Sequence, residues 1–307
     1  MNPVIALIIA NIIWGAAAPL FKFALTNIPP FTLAFIRFFF GALLFFPFVL
    51  AKNYSVTRKQ LFQICLGAFF FITINISFFF LAMQRTESIN APIIASSQPI
   101  FLFLLATIFL KEKPHKQVFR GILISFIGVL IIILSPIFLN HGTTILQKES
   151  ALEGNLFLII ATMGAVAQAL IHKGVLKHVH FYIVICISFL VGSLTFIPFM
   201  NSEMHKWSLY QLNGAGWVGI IFGVFFSSAL AYALFMYGIS KIEAQEIGIF
   251  TYIDPIIAVI IAIPLLHEYP TPLFFIGSLF VFIGILFAEK RLHWHPFHLI
   301  RRKKHSI

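Results

Sequence analysis

The sequence predicts an all-α integral membrane protein with ten transmembrane helices, arranged as two inverted five-helix repeats. Of its 307 residues, 60% are hydrophobic and only 10% are charged, whereas a soluble domain of this length needs far more polar surface. Apolar runs of about 18–25 residues recur along the whole chain, and a helix of that length crosses a hydrocarbon core of about 30 Å. The third observation is that the second half of the chain repeats features of the first half.

Ten apolar runs are long enough to span a membrane as helices. In order, the predicted spans are residues 3–26, 31–51, 61–83, 88–110, 116–138, 153–172, 180–199, 214–238, 244–266 and 271–288. A transmembrane β-strand has about 10 residues and alternates in polarity, which these runs do not. The connections are short, so no separate soluble domain is expected. The first residues lack the basic stretch of a cleavable signal peptide.

The basic residues are distributed unevenly between the predicted loops. With the N-terminus placed in the cytoplasm, sixteen of the 21 lysines and arginines fall on that side, and only Arg85, Lys148 and Lys206 fall on the other. This bias predicts a multi-pass protein of the bacterial inner membrane with both termini cytoplasmic. Because topology accounts for the net charge of +11, nucleic acid is not an expected partner.

An internal repeat relates the two halves of the chain. Residues 98–130 align without a gap with residues 254–286, and the pairs in register are Pro99/Pro255, Glu112/Glu268, Pro114/Pro270, Gly121/Gly277 and Gly128/Gly284. Because the repeat unit of five helices is odd, the second copy must cross the membrane in the opposite sense. We predict a first repeat over residues 1–140, an inverted repeat over 150–290 and a basic cytoplasmic tail over 291–307. Two such halves can rock about a site near the midplane, which gives alternating access.

Asp254 is the only aspartate in the chain, and it lies in an apolar run. It stands ten residues from Ala244, or about 15 Å along a helix, which is half the hydrocarbon thickness. Its repeat mate Gln98 is expected at the same depth, and Pro99 and Pro255 predict a kink beside each polar residue. Since a charge at this depth is unfavourable unless it is paired or hydrated, we predict that Asp254 and Gln98 line the substrate path. A structural aspartate bound to an arginine or a hydroxyl is the alternative.

Two basic residues within the spans are candidate charge partners. Arg37 lies six residues into the second span, too deep for simple snorkelling, so we expect it to pair with an acid or to contact a substrate anion. Lys22 lies near the end of the first span, where an interfacial lysine is the simpler interpretation.

Polar and aromatic side chains that interrupt the apolar runs form a weaker group of cavity candidates. They are Asn11, Trp14, Asn75, Ser97, Ser228, Tyr232 and Tyr252. Small hydroxyls, amides and aromatics in membranes also serve helix packing, which is the alternative for each of them.

Neither a metal nor a cofactor is expected. Cys65 and Cys186 lie in apolar runs without metal-ligand neighbours, and the tail histidines His293, His295 and His298 match no tetrahedral spacing. The tail is instead typical of a basic segment that binds anionic headgroups.

Short motifs along the chain resemble the EamA-like group of the drug/metabolite transporter superfamily. They are Trp14-Gly15, Pro19 and Lys22, Arg37-Phe38, Pro99 and Glu112, and, in the second half, Pro255, Glu268, Gly277 and Gly284. The resemblance covers nearly the whole chain, although the second half has no counterpart of the Trp-Gly and Arg-Phe elements. It implies a secondary transporter of amino acids or other small metabolites, with a central cavity built from spans 1, 3, 4, 6, 8 and 9.

We therefore expect a carrier rather than an enzyme, with a small-molecule substrate, a lipid bilayer around it and export as the favoured direction. Proton coupling, uniport and exchange stay open, as do a monomer and a homodimer. A channel would call for a continuous polar stripe or a ring of charges. A membrane enzyme acting on a lipid or nucleotide-linked substrate would call for several acids or histidines converging near one interface.

Overall fold

The structure, a computed structural model, describes residues 2–51, 55–98, 101, 116–138, 144–239, 241 and 248–289. This part of the chain is built from helices, with no β-strand among the described residues. The α-helices are α1 (Pro3–Ala24), α2 (Pro30–Leu50), α3 (Arg58–Ala68), α4 (Ser77–Met83), α5 (Asn90–Ala95), α6 (Lys116–Phe138), α7 (Ile145–Val175), α8 (Phe181–Met204), α9 (Gly214–Ile221), α10 (Ala231–Ile239), α11 (Ile253–Leu266) and α12 (Pro272–Glu289).

Two π-helical segments make longer helical runs out of the shorter helices. The first, π1 (Phe69–Ile76), joins α3 to α4, and the second, π2 (Phe222–Leu230), joins α9 to α10. A 3₁₀ turn, Gly248–Tyr252, leads into α11. Wide π turns are rare and are found most often at functional sites, so both segments mark regions of interest.

Seven of these helical runs are long and apolar enough to cross a membrane. They are Pro3–Ala24, Pro30–Leu50, Arg58–Met83, Phe119–Phe138, Ile145–His172, Phe181–Met204 and Gly214–Gly238, and two shorter apolar helices cover Phe250–Leu266 and Pro272–Phe287. The chain is therefore a multi-pass membrane protein. Of the predicted fourth span, residues 88–110, only the first turns are described, and most of that span lies outside the described residues.

Capping residues explain where several of these helices begin. Asn2 and Thr57 accept hydrogen bonds from the free N–H groups at the starts of α1 and α3. The predicted sixth span was too short: Thr144 and Gln147 form a capping box, so that α7 begins at Ile145 rather than near residue 153. The predicted seventh span was also too short, because α8 continues to Met204.

The helices pack closely where glycines face a neighbouring helix. In α2, Gly41 lies against the ring of Phe189 in α8. A Cβ added to Gly128 of α6 would strike the carbonyl oxygen of Gly277 in α12, and one added to Gly284 would strike that of Gly121. Small residues allow this close approach between helices in a bilayer, while Phe62, Phe225 and other large apolar side chains are exposed on the outside of the bundle, where they suit lipid.

Candidate functional site

Two adjacent residues near the middle of α1 connect it to two different parts of the bundle. The indole Nε1 of Trp14 donates to the carbonyl oxygen of Ser227 in π2 at 3.2 Å. The Trp14 ring also packs edge-on against Tyr232, with 5.3 Å between ring centroids. On the next residue, a Cβ added to Gly15 would lie 2.8 Å from the carbonyl oxygen of Asp254, so only glycine permits this approach of α1 to α11.

Arg37 of α2 is buried and is held by hydroxyl groups. Only 5% of the residue is exposed. Its Nε donates to Ser228 Oγ at 2.9 Å and its Nη2 donates to Ser227 Oγ at 3.0 Å. The rings of Phe21 and Phe38 each lie 4.7 Å from the guanidinium carbon, within the range of a cation–π contact. We call Trp14, Arg37, Ser227, Ser228 and Tyr232 the Arg37 cluster.

Asp254 occupies the first turn of α11. The sequence predicted a kink within a continuous span, whereas the structure places Asp254 and Pro255 at a helix start, directly after the 3₁₀ turn. A carboxylate is favoured there by the helix dipole, and proline is tolerated because first-turn N–H groups have no intrahelical acceptor. The Oδ1 atom of Asp254 is buried, without a hydrogen-bond partner in the described part of the chain.

The expected pairing of Asp254 with a basic residue is not found among the described residues. Their ion pairs are Lys22–Glu268 and Arg85–Glu153. Arg37 binds serines instead, and Lys22 binds an acid located two residues beyond the end of α11. Asp254 stands at the beginning of that helix, about 20 Å away at 1.5 Å per residue.

The other predicted cavity residues fall into two groups. Three of them bind the backbone: Asn11 Nδ2 donates to Leu7 O, Asn75 Nδ2 to Ala161 O and Ser97 Oγ to Ile94 O. Only the Asn75 bond joins two helices, whereas the Asn11 and Ser97 bonds are local. Asn11 Oδ1 is buried and unbonded within the described part. By contrast, Gln98 is exposed and the Tyr252 ring packs edge-on against Phe282. Pro99 lies outside the described residues, whereas Pro255 is buried.

A second polar group lies at the end of the bundle where α1 and α11 both end. Lys22 Nζ contacts Glu268 Oε1 at 2.5 Å and donates to the carbonyl oxygen of Thr86 at 2.6 Å. The other carboxylate oxygen of Glu268 accepts from the backbone N–H and the hydroxyl of Ser88, at 2.7 and 2.6 Å. We call Lys22, Thr86, Ser88 and Glu268 the Lys22 clasp, and this end of the bundle the Lys22 end.

Sequence reasoning did not identify the clasp as a unit. Lys22 and Glu268 each belong to a motif of the resemblance, but 246 positions separate them, so no local pattern could pair them. Ser88 gives no sequence signal, because it lies in an ordinary polar connection between apolar runs.

Glu87 is a further titratable group at the Lys22 end, in the connection between α4 and α5. Burial raises the pKa of its carboxyl above the ordinary value of 4.5, and the negative charge of Glu268 raises that pKa further. Lys22 acts in the opposite direction and lowers it. Two carboxyls therefore share one lysine at this end.

Comparisons with known proteins agree with this architecture. A model of the EamA-like transporter family matches residues 1–134 and 152–289. An uncharacterised transporter of Bacillus subtilis, YetK, is 27% identical over 288 residues, which are 93% of this chain and 86% of that protein. An S-adenosylmethionine uptake transporter of Rickettsia bellii is 23% identical over 275 residues, 88% of this chain.

A solved crystal structure has a similar fold, with a TM-score of 0.62, 14% sequence identity and coverage of 95% of this chain and 99% of the other. The family match and the transporter relatives indicate a transporter rather than an enzyme.

Proposed function

The chain belongs to the EamA-like transporter family, and from that premise we propose that it is a secondary transporter of amino acids or related small metabolites. The observation that carries the proposal is the pair of buried groups beside α1 that have no partner of opposite charge among the described residues. Among the described residues, the hydrogen-bond partners of Arg37 are serine hydroxyls, and Asp254 has a buried carboxyl oxygen without a hydrogen bond. Trp14 contacts Ser227, a partner of Arg37, and the adjacent Gly15 lies against the backbone of Asp254.

A buried cation without an acid partner costs several kcal/mol, so Arg37 favours an anionic ligand group. A buried carboxyl oxygen without a hydrogen bond is also unfavourable, so Asp254 favours a hydrogen-bond donor. An amino acid carries both kinds of group: its carboxylate would bind the Arg37 guanidinium and its ammonium would donate to the unbonded Asp254 carboxyl oxygen. Aromatic rings of the Arg37 cluster supply the apolar wall that small-molecule sites usually have. The Rickettsia bellii relative supports this class, because S-adenosylmethionine contains an amino-acid group.

We propose that transport follows alternating access between two inverted five-helix halves. Three features support a division into two related halves. The segments π1 and π2 occupy corresponding positions in the two halves. The repeat exchanges the contact Gly128–Gly277 with the contact Gly121–Gly284, and the two family matches divide the chain near its middle. The distribution of lysines and arginines supports a cytoplasmic N-terminus, which places the Lys22 end outside the bacterial inner membrane.

Export is the direction that the sequence resemblance implies, whereas the name of the Rickettsia bellii relative favours uptake as the second candidate. Proton coupling is part of the proposal only through Asp254, because a single carboxyl in the interior is suited to carry a proton. Transport in both directions, with and without a pH gradient, separates these cases.

The test begins with purified protein and a thermal-shift screen against amino acids, nucleosides and cationic metabolites. The compound that stabilises most is then used in proteoliposomes, where a carrier shows saturable counterflow and a channel does not. We expect Asp254→Asn to abolish counterflow if Asp254 binds substrate, and to abolish only the response to a pH gradient if it carries protons alone. Glu149→Gln, at an exposed position, is the matched control. Full activity of Asp254→Asn under both conditions would contradict both roles.

A further inference from the structure

We propose that the Lys22 clasp is the gate that closes the transport pathway at the Lys22 end, and that it must separate for the carrier to open there. The proposal rests on the carrier function, but the residues of the clasp have no part in the proposed substrate binding. It is carried by the way the clasp joins two sets of helices that are each held together by their own contacts.

The first set consists of α1 with α9, π2, α10 and α11. Trp14 binds the backbone of π2, Gly15 lies against the backbone of Asp254 at the start of α11, and Leu7 packs on Gly238 of α10. Lys22 at the end of α1 and Glu268 beyond the end of α11 belong to this set, so their ion pair lies within it.

The second set consists of α3, π1, α4 and α5 with α7. Asn75 of π1 donates to the Ala161 carbonyl of α7, and Gly164 of α7 lies against the backbone of Phe70. The connection between α4 and α5 is fixed on this set as well, because Arg85 pairs with Glu153 at 3.0 Å and Thr86 Oγ1 donates to Asn155 Oδ1 at 2.7 Å.

Three hydrogen bonds of the clasp cross from one set to the other. Glu268 of the first set accepts two bonds from Ser88 of the second, and Lys22 of the first donates to the Thr86 carbonyl of the second. All three involve an ionised group, so they are stronger than bonds between neutral groups. Glu268 is 8% exposed, so its carboxylate is largely shielded from water where the two sets meet, which suits a closed gate.

The opposite end of the bundle has a different pattern of hydrogen bonds. There, the imidazole of His172 in α7 is bonded to the Ile64 carbonyl of α3, and both residues belong to the second set. The ionic hydrogen bonds that join the sets, among the described residues, are those of the Lys22 clasp. Loss of the clasp should therefore bias the carrier towards opening at this end.

The experiment measures access to a cysteine inside the bundle from the outer side of intact cells. Ser97, which is buried in the second set, is replaced by cysteine in a background of Cys65→Ser and Cys186→Ser, and the cells are treated with a membrane-impermeant maleimide. We expect Glu268→Gln and Lys22→Gln each to raise the labelling rate about tenfold, because each removes an ionic bond across the join. Arg85→Gln is the matched control, since it removes an ion pair at the same end that lies within one set.

Ser88→Ala removes one neutral hydroxyl and keeps the proposal testable if the charged variants fail to fold. We expect it to raise labelling about threefold, because the Ser88 backbone N–H still binds Glu268. A folded Ser88→Ala or Glu268→Gln protein that is labelled at the parental rate would overturn the gate. Counterflow by the parental protein in proteoliposomes tests the carrier function separately: its absence would remove that function, whereas normal counterflow with unchanged labelling would overturn only the gate.

Discussion

The Arg37 cluster and the Lys22 clasp each contain one basic residue, Arg37 of α2 and Lys22 of α1, and the two have different hydrogen-bond partners. Lys22 contacts a carboxylate at 2.5 Å and keeps 27% of its side chain exposed. Arg37 is more deeply buried, yet its hydrogen-bond partners are two hydroxyl groups. A carboxylate completes the electrostatics of the clasp, whereas hydroxyls orient a guanidinium without cancelling its charge. From this difference we infer that the Lys22 ion pair joins helices, whereas the Arg37 guanidinium is available to bind an anionic ligand group.

The largest expected effect is the loss of substrate recognition at Arg37. We expect Arg37→Gln to weaken binding of an amino acid about 10- to 100-fold, because a hydrogen bond to a charged group contributes about 1.5–3 kcal/mol. The decarboxylated amine of the same compound should bind the variant and the parent equally. Thermal-shift titration with both compounds measures this, with Arg58→Gln as the control for loss of a basic residue. Equal weakening for both compounds would contradict an anion contact.

The next expected effect concerns stability, for which the Lys22 clasp should matter more than the Arg37 cluster. Glu268→Gln should lower the free energy of unfolding by about 1–3 kcal/mol, since it leaves Lys22 without its acid and weakens the bonds from Ser88. Arg37→Gln should cost less, because removal of a buried cation without an acid partner among the described residues offsets the loss of its two bonds to serine. Denaturation of both variants in detergent gives the comparison. A larger loss for Arg37→Gln would show that Arg37 is a structural residue and would refute the contrast.

A glycine of the site offers a third test, with an expected effect on stability no larger than that of Glu268→Gln. A Cβ at Gly15 would lie 2.8 Å from the Asp254 carbonyl oxygen, so Gly15→Ala should move α1 away from α11 and cost about 1–3 kcal/mol through overpacking. We expect counterflow to fall with it, because Trp14 and Asp254 are shifted relative to each other. Gly174→Ala is the control, since a Cβ at Gly174 meets nothing within 4 Å. Equal stability of the two variants would show that the approach of α1 to α11 is not tight.

The comparison also shows what the sequence could predict. Long apolar runs correctly predicted a multi-pass helical membrane protein, because run length and composition are local properties of the sequence. Comparison of the two halves drew attention to Asp254 and Glu268, because matched proline, glutamate and glycine residues are visible without a structure. The bonds of Arg37 to Ser227 and Ser228 span about 190 positions, and side-chain reach across that separation is decided by helix packing. The π segments were also missed, because a wide turn has the same apolar composition as the α-helix on either side of it. The clasp could not be predicted because the sequence does not show that the end of α1 and the segment after α11 lie side by side.

The smallest expected effect is a dependence of the gate on pH through Glu87. Burial and the negative charge of Glu268 raise the pKa of the Glu87 carboxyl in this structure, and Lys22 lowers it. This arrangement therefore binds the Glu87 proton more tightly than one in which Glu87 is solvated and titrates near 4.5. Protonation thus favours the closed clasp, and that contribution is lost as the pH rises through the raised pKa.

We expect outer-side labelling of the Ser97→Cys reporter to fall about twofold as the pH is lowered towards 5, relative to the same reporter with Glu87→Gln. Because thiolate formation itself depends on pH, the ratio between these two proteins at each pH is the quantity to compare. A ratio that stays constant would remove Glu87 from the gate, while the Ser88 and Glu268 variants would still test the clasp independently. A ratio that rises on acidification would mean that the proton favours the open form, contrary to the sign derived from its burial.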